Sequence, residues 1–276
     1  MGTSFLNDDL QRLREHEFLH CQQTAARTGK TLTVGYANAL RLYGVPIGEH
    51  CRLSVDDVHV CVDGADERPN MRGVHAHIWK AQSRTHTLGD FRLASPTAAW
   101  AQIAPFLPLQ DLIAVGCMLM SKNRRRRVAT LDDFEEYLAA NQRFKGRKQC
   151  QAALPHLVEG TDSPAEANLL AFLSIHGIRG IKPNFEVTLP HGDLRFIDLA
   201  LPAIRLGLEY QGSYHAGIAQ MREDANRMNQ LIDLGWVIIQ VTVSDMRTAH
   251  ASEQLLVKIQ RAISRQTALM RLIQNT

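Results

Sequence analysis

The chain has 276 residues, of which 45% are hydrophobic and 21% charged, with a formal net charge of +3. That length exceeds one average domain, so two domains with sizeable cores are expected. No apolar run approaches the ~18 residues of a membrane span, and residues 1–30 lack the charged and then apolar order of a secretory signal; a cytoplasmic protein with no membrane partner is expected.

Residues 8–28 read as a helix, and the stretch 33–42 (TVGYANALRL) runs into GVPIG at 44–48, a break marked by Gly and Pro. HVCV within 58–62 reads as a short strand. Residues 74–79 alternate Val74, Ala76, Ile78 against His75, His77, Trp79, a second strand. Ser95-Pro96 has the form of a helix start, Ser as cap and Pro in the first helical position. Leu109, Leu112, Ile113, Gly116 and Leu119 form the apolar stripe of a further helix. A small α/β module over 1–121 is therefore expected. Its order of ANALRLYGVP, HVCV, GVHAHIW and LASPTAAWAQIA resembles the AbiEi-like antitoxin regulators.

Five cysteines, Cys21, Cys51, Cys61, Cys117 and Cys150, form no CxxC pair and are odd in number. This argues against a disulfide framework and a zinc ribbon, and for buried, inert thiols. His16 and His20 lie four apart on the first helix, while His75 and His77 share a strand face. Both spacings suit a transition metal, but neither has a converging acid or cysteine in sequence, so imidazoles without metal are expected.

Charge is concentrated in one place. Between positions 122 and 148 there are nine basic and four acidic residues, a net +5, so the remainder of the +3 chain sums to −2. A basic block on a near-neutral protein is a footprint of phosphate binding through counterion release. Lys122, Arg124, Arg125, Arg126 and Arg127 are its candidate nucleic-acid contacts. The competing reading of 122–150 is a solvated linker or helix between the module and a second domain at 151–276.

That second domain begins with Ser163-Pro164-Ala165-Glu166, a capping box opening a helix over 164–176, which Gly177 ends. The cap alone accounts for Glu166. Residues 185–189 make a strand and 190–193 a tight turn. The central stretch, 194–215, reads as two strands joined by a turn at 201–204. One face of the first carries Leu194, Phe196, Asp198 and Ala200, and the other Arg195, Ile197 and Leu199. An antiparallel hairpin closed by that turn sets 200 opposite 205 and 198 opposite 207, with Glu209 and Gln211 on the face of Asp198. Asp198 and Glu209 then become diagonal neighbours about 7–8 Å apart. Two such carboxylates on a half-buried face call for a cation, and hard divalent ions take oxygen ligands of this kind. Met221, Ala225, Met228, Leu231 and Ile232 place a helix on the sheet, with Arg222, Asp224 and Arg227 on its exposed flank. Gly235 stops it. Residues 236–242 (WVIIQVT) form a buried strand, parallel to a neighbour, and an amphipathic helix runs from 252 to about 273.

The order Asp198, then Glu209-Tyr210-Gln211, after a helix bearing Glu166, resembles the PD-(D/E)XK nuclease superfamily, whose signature is an acid on one strand and E-x-K on the next. The runs SPAEANLL at 163–170, FIDLAL at 196–201, LEYQGSYH at 208–215 and REDANRMNQLIDLGWVIIQVT at 222–242 are similar to the branch related to very-short-patch-repair endonucleases. The resemblance implies a restriction-endonuclease-like α/β fold, a mixed sheet flanked by helices beside a smaller N-terminal α/β domain. It also implies magnesium- or manganese-dependent hydrolysis of DNA, in repair or defence. Asp198 and Glu209 would ligate the ion together with the Tyr210 carbonyl, Gln211 would position water, and Glu166 would assist. His215 would move a proton or hold the phosphate. Gln211 stands where the family has lysine, and an amide cannot act as a base. The alternative is therefore an inactive DNA-binding regulator of the type IV antitoxin kind. Beyond DNA, a second copy of the chain and a cognate toxin are the partners considered.

Overall fold

The structure is a computed structural model; it describes residues 2–211 and 218–274, with the side chains of 8–211 and 226–273. Two compact units, Met1–Ala171 and Phe172–Thr276, divide the chain. Both are α/β and each holds one mixed sheet.

In the first unit, α1 (Gly2–Thr28) precedes β1 (Thr33–Val34) and α2 (Tyr36–Leu42), followed by β2 (Val58–Val62), β3 (Val74–Ile78), β4 (Thr85–Leu88) and β5 (Phe91–Ala94). The sheet order is β3-β2-β1-β5-β4. Pairs β2/β3 and β1/β5 are parallel, and β1/β2 and β4/β5 antiparallel. Val58, Val60 and Val62 are buried, which fixes the β2 register. The helices α3 (Pro96–Ile103), α4 (Leu109–Leu119), α5 (Leu131–Ala140) and α6 (Arg147–Ala153) follow. Ser95 caps α3, its Oγ accepting from the Ala98 N–H at 3.4 Å, with Pro96 in the first turn as expected.

The stretch 122–150 packs as part of this unit. Thr130 and Asp133 close a reciprocal capping box that starts α5. Phe134 of α5 is fully buried, edge-on to Trp100 with ring centroids 4.9 Å apart. That packing makes the N-terminal unit the longer of the two, where a smaller N-terminal domain over 1–121 followed by a basic linker or helix over 122–150 was expected; the helix is α5.

The helix α7 (Pro164–Ile175) crosses the boundary between units, and Gly177 ends it at φ 80°. The second unit then runs β6 (Lys182–Thr188), β7 (Leu194–Leu201), β8 (Leu206–Gln211), α8 (Ile218–Asp233), β9 (Val237–Thr242), α9 (Val243–Met246) and α10 (Ala249–Gln274). Its sheet order is β6-β7-β8-β9, antiparallel except for β8 and β9, which run parallel. Pro183 sits on the edge strand β6, where a missing N–H is tolerated. Helix α8 packs on β9, and α10 on β8.

Two details depart from the sequence reading. The turn is a 3-10 segment, Pro202–Ile204, closed by Arg205 in the left-handed region at φ 47°. The ladder therefore pairs Leu201 with Leu206 and Ala200 with Gly207, two residues away from the expected register. The shift is even, so the face of each β8 residue is kept, and Asp198 comes level with Glu209 instead of Gly207. The pleat is also broken at Asp198. Ile197 and Ala200, opposite in strict alternation, share one core cluster with Val187, Leu231 and Trp236. The β6 position facing Asp198 is Asn184, which takes φ 47° between the pairs Pro183–Leu199 and Phe185–Ile197.

Candidate active site

The hairpin of β7 and β8 brings Asp198 and Glu209 together. Regular pairing is replaced next to Leu199–Leu208 by a side chain: Asp198 Oδ2 accepts from the Tyr210 backbone N–H at 2.8 Å. Asp198 is half-buried and Glu209 is 9% exposed. Gly207, two residues before Glu209 on the same strand face, lets the floor beneath it close. A Cβ there would lie 2.6 Å from Ile238 Cδ1 and 2.9 Å from Ile197 Cγ2.

Glu209 is answered by a residue that the sequence reading placed on an exposed flank. Arg227 of α8 donates from Nη2 to Glu209 Oε2 at 2.7 Å and to the Phe196 carbonyl at 3.0 Å. Residue 227 lies one helical turn before the buried Leu231 and so shares the helix side facing the sheet. Glu209 Oε1 is buried and has no hydrogen-bond partner among the described residues. Burial above all, and then the charge of Asp198, push the Glu209 carboxyl up to about 7, while Arg227 opposes both.

The donor set fits a hard divalent cation. Magnesium is commonly held by one or two carboxylates and completes its shell with water or substrate phosphate. A buried carboxylate oxygen left without a donor is the atom such an ion would satisfy. Gln211 ends β8 on the Glu209 side of the strand, exposed and paired in register with Thr242.

Other expected residues fall elsewhere. Glu166 belongs to the first unit and is buried. Its Oε2 accepts from the Asp162 N–H at 2.8 Å while its own N–H donates to Ser163 Oγ at 3.1 Å, which is the cap. His215 and the side chain of Asp224 lie outside the described residues. In the basic segment Lys122, Arg124, Arg125 and Arg127 are exposed, but Arg126 pairs with Asp162 and Arg127 Nε donates to the Ser121 carbonyl at 2.9 Å.

The histidines of the first unit form an arrangement that the sequence did not suggest. His59 Nε2 donates to the Ser54 carbonyl at 3.0 Å, which leaves Nδ1 as the acceptor for His77 Nε2 at 2.9 Å. Burial holds both imidazoles below their ordinary value. Among the described residues no group of three or more His, Cys, Asp or Glu is arranged to hold a metal ion. The five cysteines are free thiols, and burial raises each of them, with Cys61, Cys117 and Cys150 pushed up to about 12. Among the described residues no helix is long and apolar enough to cross a membrane.

Two uncharacterized proteins of Mycobacterium tuberculosis, MT2308 of strain CDC 1551 and Rv2248 of strain H37Rv, are similar to this chain. Each is 28% identical over 136 residues, covering 45% of this chain and 50% of the relative. The chain thus spans about half the length of the curated relatives it matches. No family model matches the chain, and no solved structure does.

Proposed function

We propose that the chain is a divalent-metal-dependent nuclease that hydrolyses phosphodiester bonds of DNA, with Asp198 and Glu209 as the metal ligands. One observation carries this reading: Glu209, buried and held level with Asp198, keeps Oε1 without a hydrogen-bond partner among the described residues. The mixed sheet flanked by helices, with an acid on its second strand and Glu-x-Gln on its third, supports the restriction-endonuclease-like assignment.

Magnesium or manganese, when bound, supplies a Lewis acid for the phosphodiester and a water of lowered pKa. The chain's own residues do the rest. Asp198 is fixed by the Tyr210 N–H, so its carboxylate needs little reorganisation on binding. Glu209 is oriented by Arg227, which turns Oε2 to α8. Gln211, exposed at the strand end, donates and accepts through its amide and so orients the attacking water. It cannot take up that water's proton.

The test is cleavage by the purified chain in magnesium or manganese of single-stranded, duplex, mismatched and branched DNA, beside Glu209→Ala. Loss of cutting in a folded variant supports the reading. Equal residual cutting in both proteins would trace the activity to a contaminant and remove the enzyme assignment.

A second reading has its own observation. Arg227 already balances Glu209, so the fold does not require a metal, and with an amide at position 211 the chain would serve as a DNA-binding regulator. Tight DNA binding with no cleavage of any substrate in either metal would establish it.

A further inference from the structure

Lys258, Arg261 and Arg265 lie three and four residues apart on α10, which places them on one face of the helix. All three are exposed. Together with Ile239 of β9 they line an open groove of about 670 Å3, in which Glu253 is the one acid among the lining residues. Arg261 and Arg265 have no hydrogen bond or ion pair among the described residues. Lys258 feels the charge of Asp245. This contrasts with the basic segment of the first unit, where Arg126 and Arg127 are engaged by Asp162 and the Ser121 carbonyl.

Resting on the reading of the chain as a DNA-acting protein, we propose that the Lys258, Arg261, Arg265 stripe is a phosphate-backbone-binding surface for duplex DNA, in the same unit as the two carboxylates. Seven residues of helix advance about 10 Å, the axial rise of about three phosphates on one strand of a duplex. The number of cations thus matches the number of phosphates they can follow. Arg261 and Arg265 give up no intramolecular partner when they take a phosphate, whereas Arg126 would have to leave a carboxylate. A polyanion fits the stripe better than a lipid surface does. Leu255 and Ile259 beside the stripe are 3% and 0% exposed, and Val257, at 39%, is the one exposed large apolar residue among those lining the groove, too little apolar surface to enter a membrane.

The experiment measures binding of the full chain to a labelled DNA duplex as a function of salt, in chelator so that cleavage plays no part. The triple variant Lys258→Gln, Arg261→Gln, Arg265→Gln is compared with wild type and with Arg124→Gln, Arg125→Gln. Each lost phosphate contact removes about 0.9 from the slope of log affinity against log salt. Between 50 and 200 mM salt the wild type should therefore lose about 40-fold more affinity than the α10 triple variant. Single variants at 261 and 265, each expected to lessen the slope by about 0.9, keep the test decisive if the triple variant melts early. A triple variant with the wild-type slope overturns the inference, as does tighter binding of wild type to phosphatidylserine vesicles than to DNA. DNA held through α10 but never cut leaves the inference standing and sinks the cleavage reading. A wild type that binds no DNA overturns both.

Discussion

Replacing Glu209 by Gln removes a carboxyl that the folded chain keeps protonated up to about pH 7, against an ordinary value of 4.5. Burial is the main cause and the Asp198 charge the second; the residue is only 9% exposed, so solvent screens little of the effect. Each pH unit between the two values corresponds to about 1.4 kcal/mol. Ionising Glu209 in the fold thus costs about 3 kcal/mol more than ionising it in the unfolded chain. Within that window the folded chain binds more protons than the unfolded one, so stability falls as pH rises. The contribution is complete below pH 4.5 and gone above about pH 7. The Glu209→Gln variant has no such titration. Its unfolding free energy relative to wild type should therefore grow by about 3 kcal/mol between pH 4.5 and about pH 8 in chelator. Urea unfolding of the full chain measures this, with amide exchange in β7–β9 peptides assigning the transition to the second unit. A difference that stays constant with pH to within about 0.5 kcal/mol would refute the reasoning, because it would mean that Arg227 offsets burial in full.

Metal should reverse that trend. Millimolar magnesium or manganese is expected to raise the melting temperature of wild type, by the equivalent of about 2.7 kcal/mol at a hundredfold excess over Kd. Asp198→Asn should abolish the rise, and identical wild-type melts with and without metal would argue against the site. Gly207→Val should lower the urea midpoint by the equivalent of about 1–3 kcal/mol through overpacking, since its Cβ would meet Ile238 and Ile197 at 2.6 and 2.9 Å. An unmoved midpoint would show that the two isoleucines yield.

Punctuation residues made much of the fold legible. Ser95-Pro96, Gly177 and Gly235 mark where helices begin and end, and the valines at 58, 60 and 62 mark a buried strand. The hairpin of β4 and β5 escaped because both strands have four residues and β4 (THTL) is polar and largely exposed, although Gly89-Asp90 at the turn is a two-residue hairpin signal. The α5 capping box, Thr130 to Asp133, was present in sequence but lay within a stretch where charge dominated the reading. Asp198 and Glu209 were legible as a pair because their spacing about one turn brings them together in either register. Arg227 was not, since an arginine on an amphipathic helix ordinarily marks the solvent side. Only tertiary packing shows that its long side chain reaches the sheet, as amphipathic side chains do.

Charge balance links the carboxylate pair to the α10 stripe. With both acids ionised, Asp198, Glu209 and Arg227 sum to −1, and Gln211 adds nothing where a lysine would have made the group neutral. A site of that sign repels a phosphodiester until a divalent cation enters and turns the sum to +1. If the substrate is DNA, as proposed, its attraction before that point has to come from cations placed elsewhere. Lys258, Arg261 and Arg265 are exposed and belong to the same unit as the acids, and Arg261 and Arg265 have no ion pair among the described residues. On the proposed nuclease reading, the amide at position 211 shifts the work of capture from the carboxylate pair to the helix, and the pair would depend on a divalent cation for both the sign of its field and its chemistry.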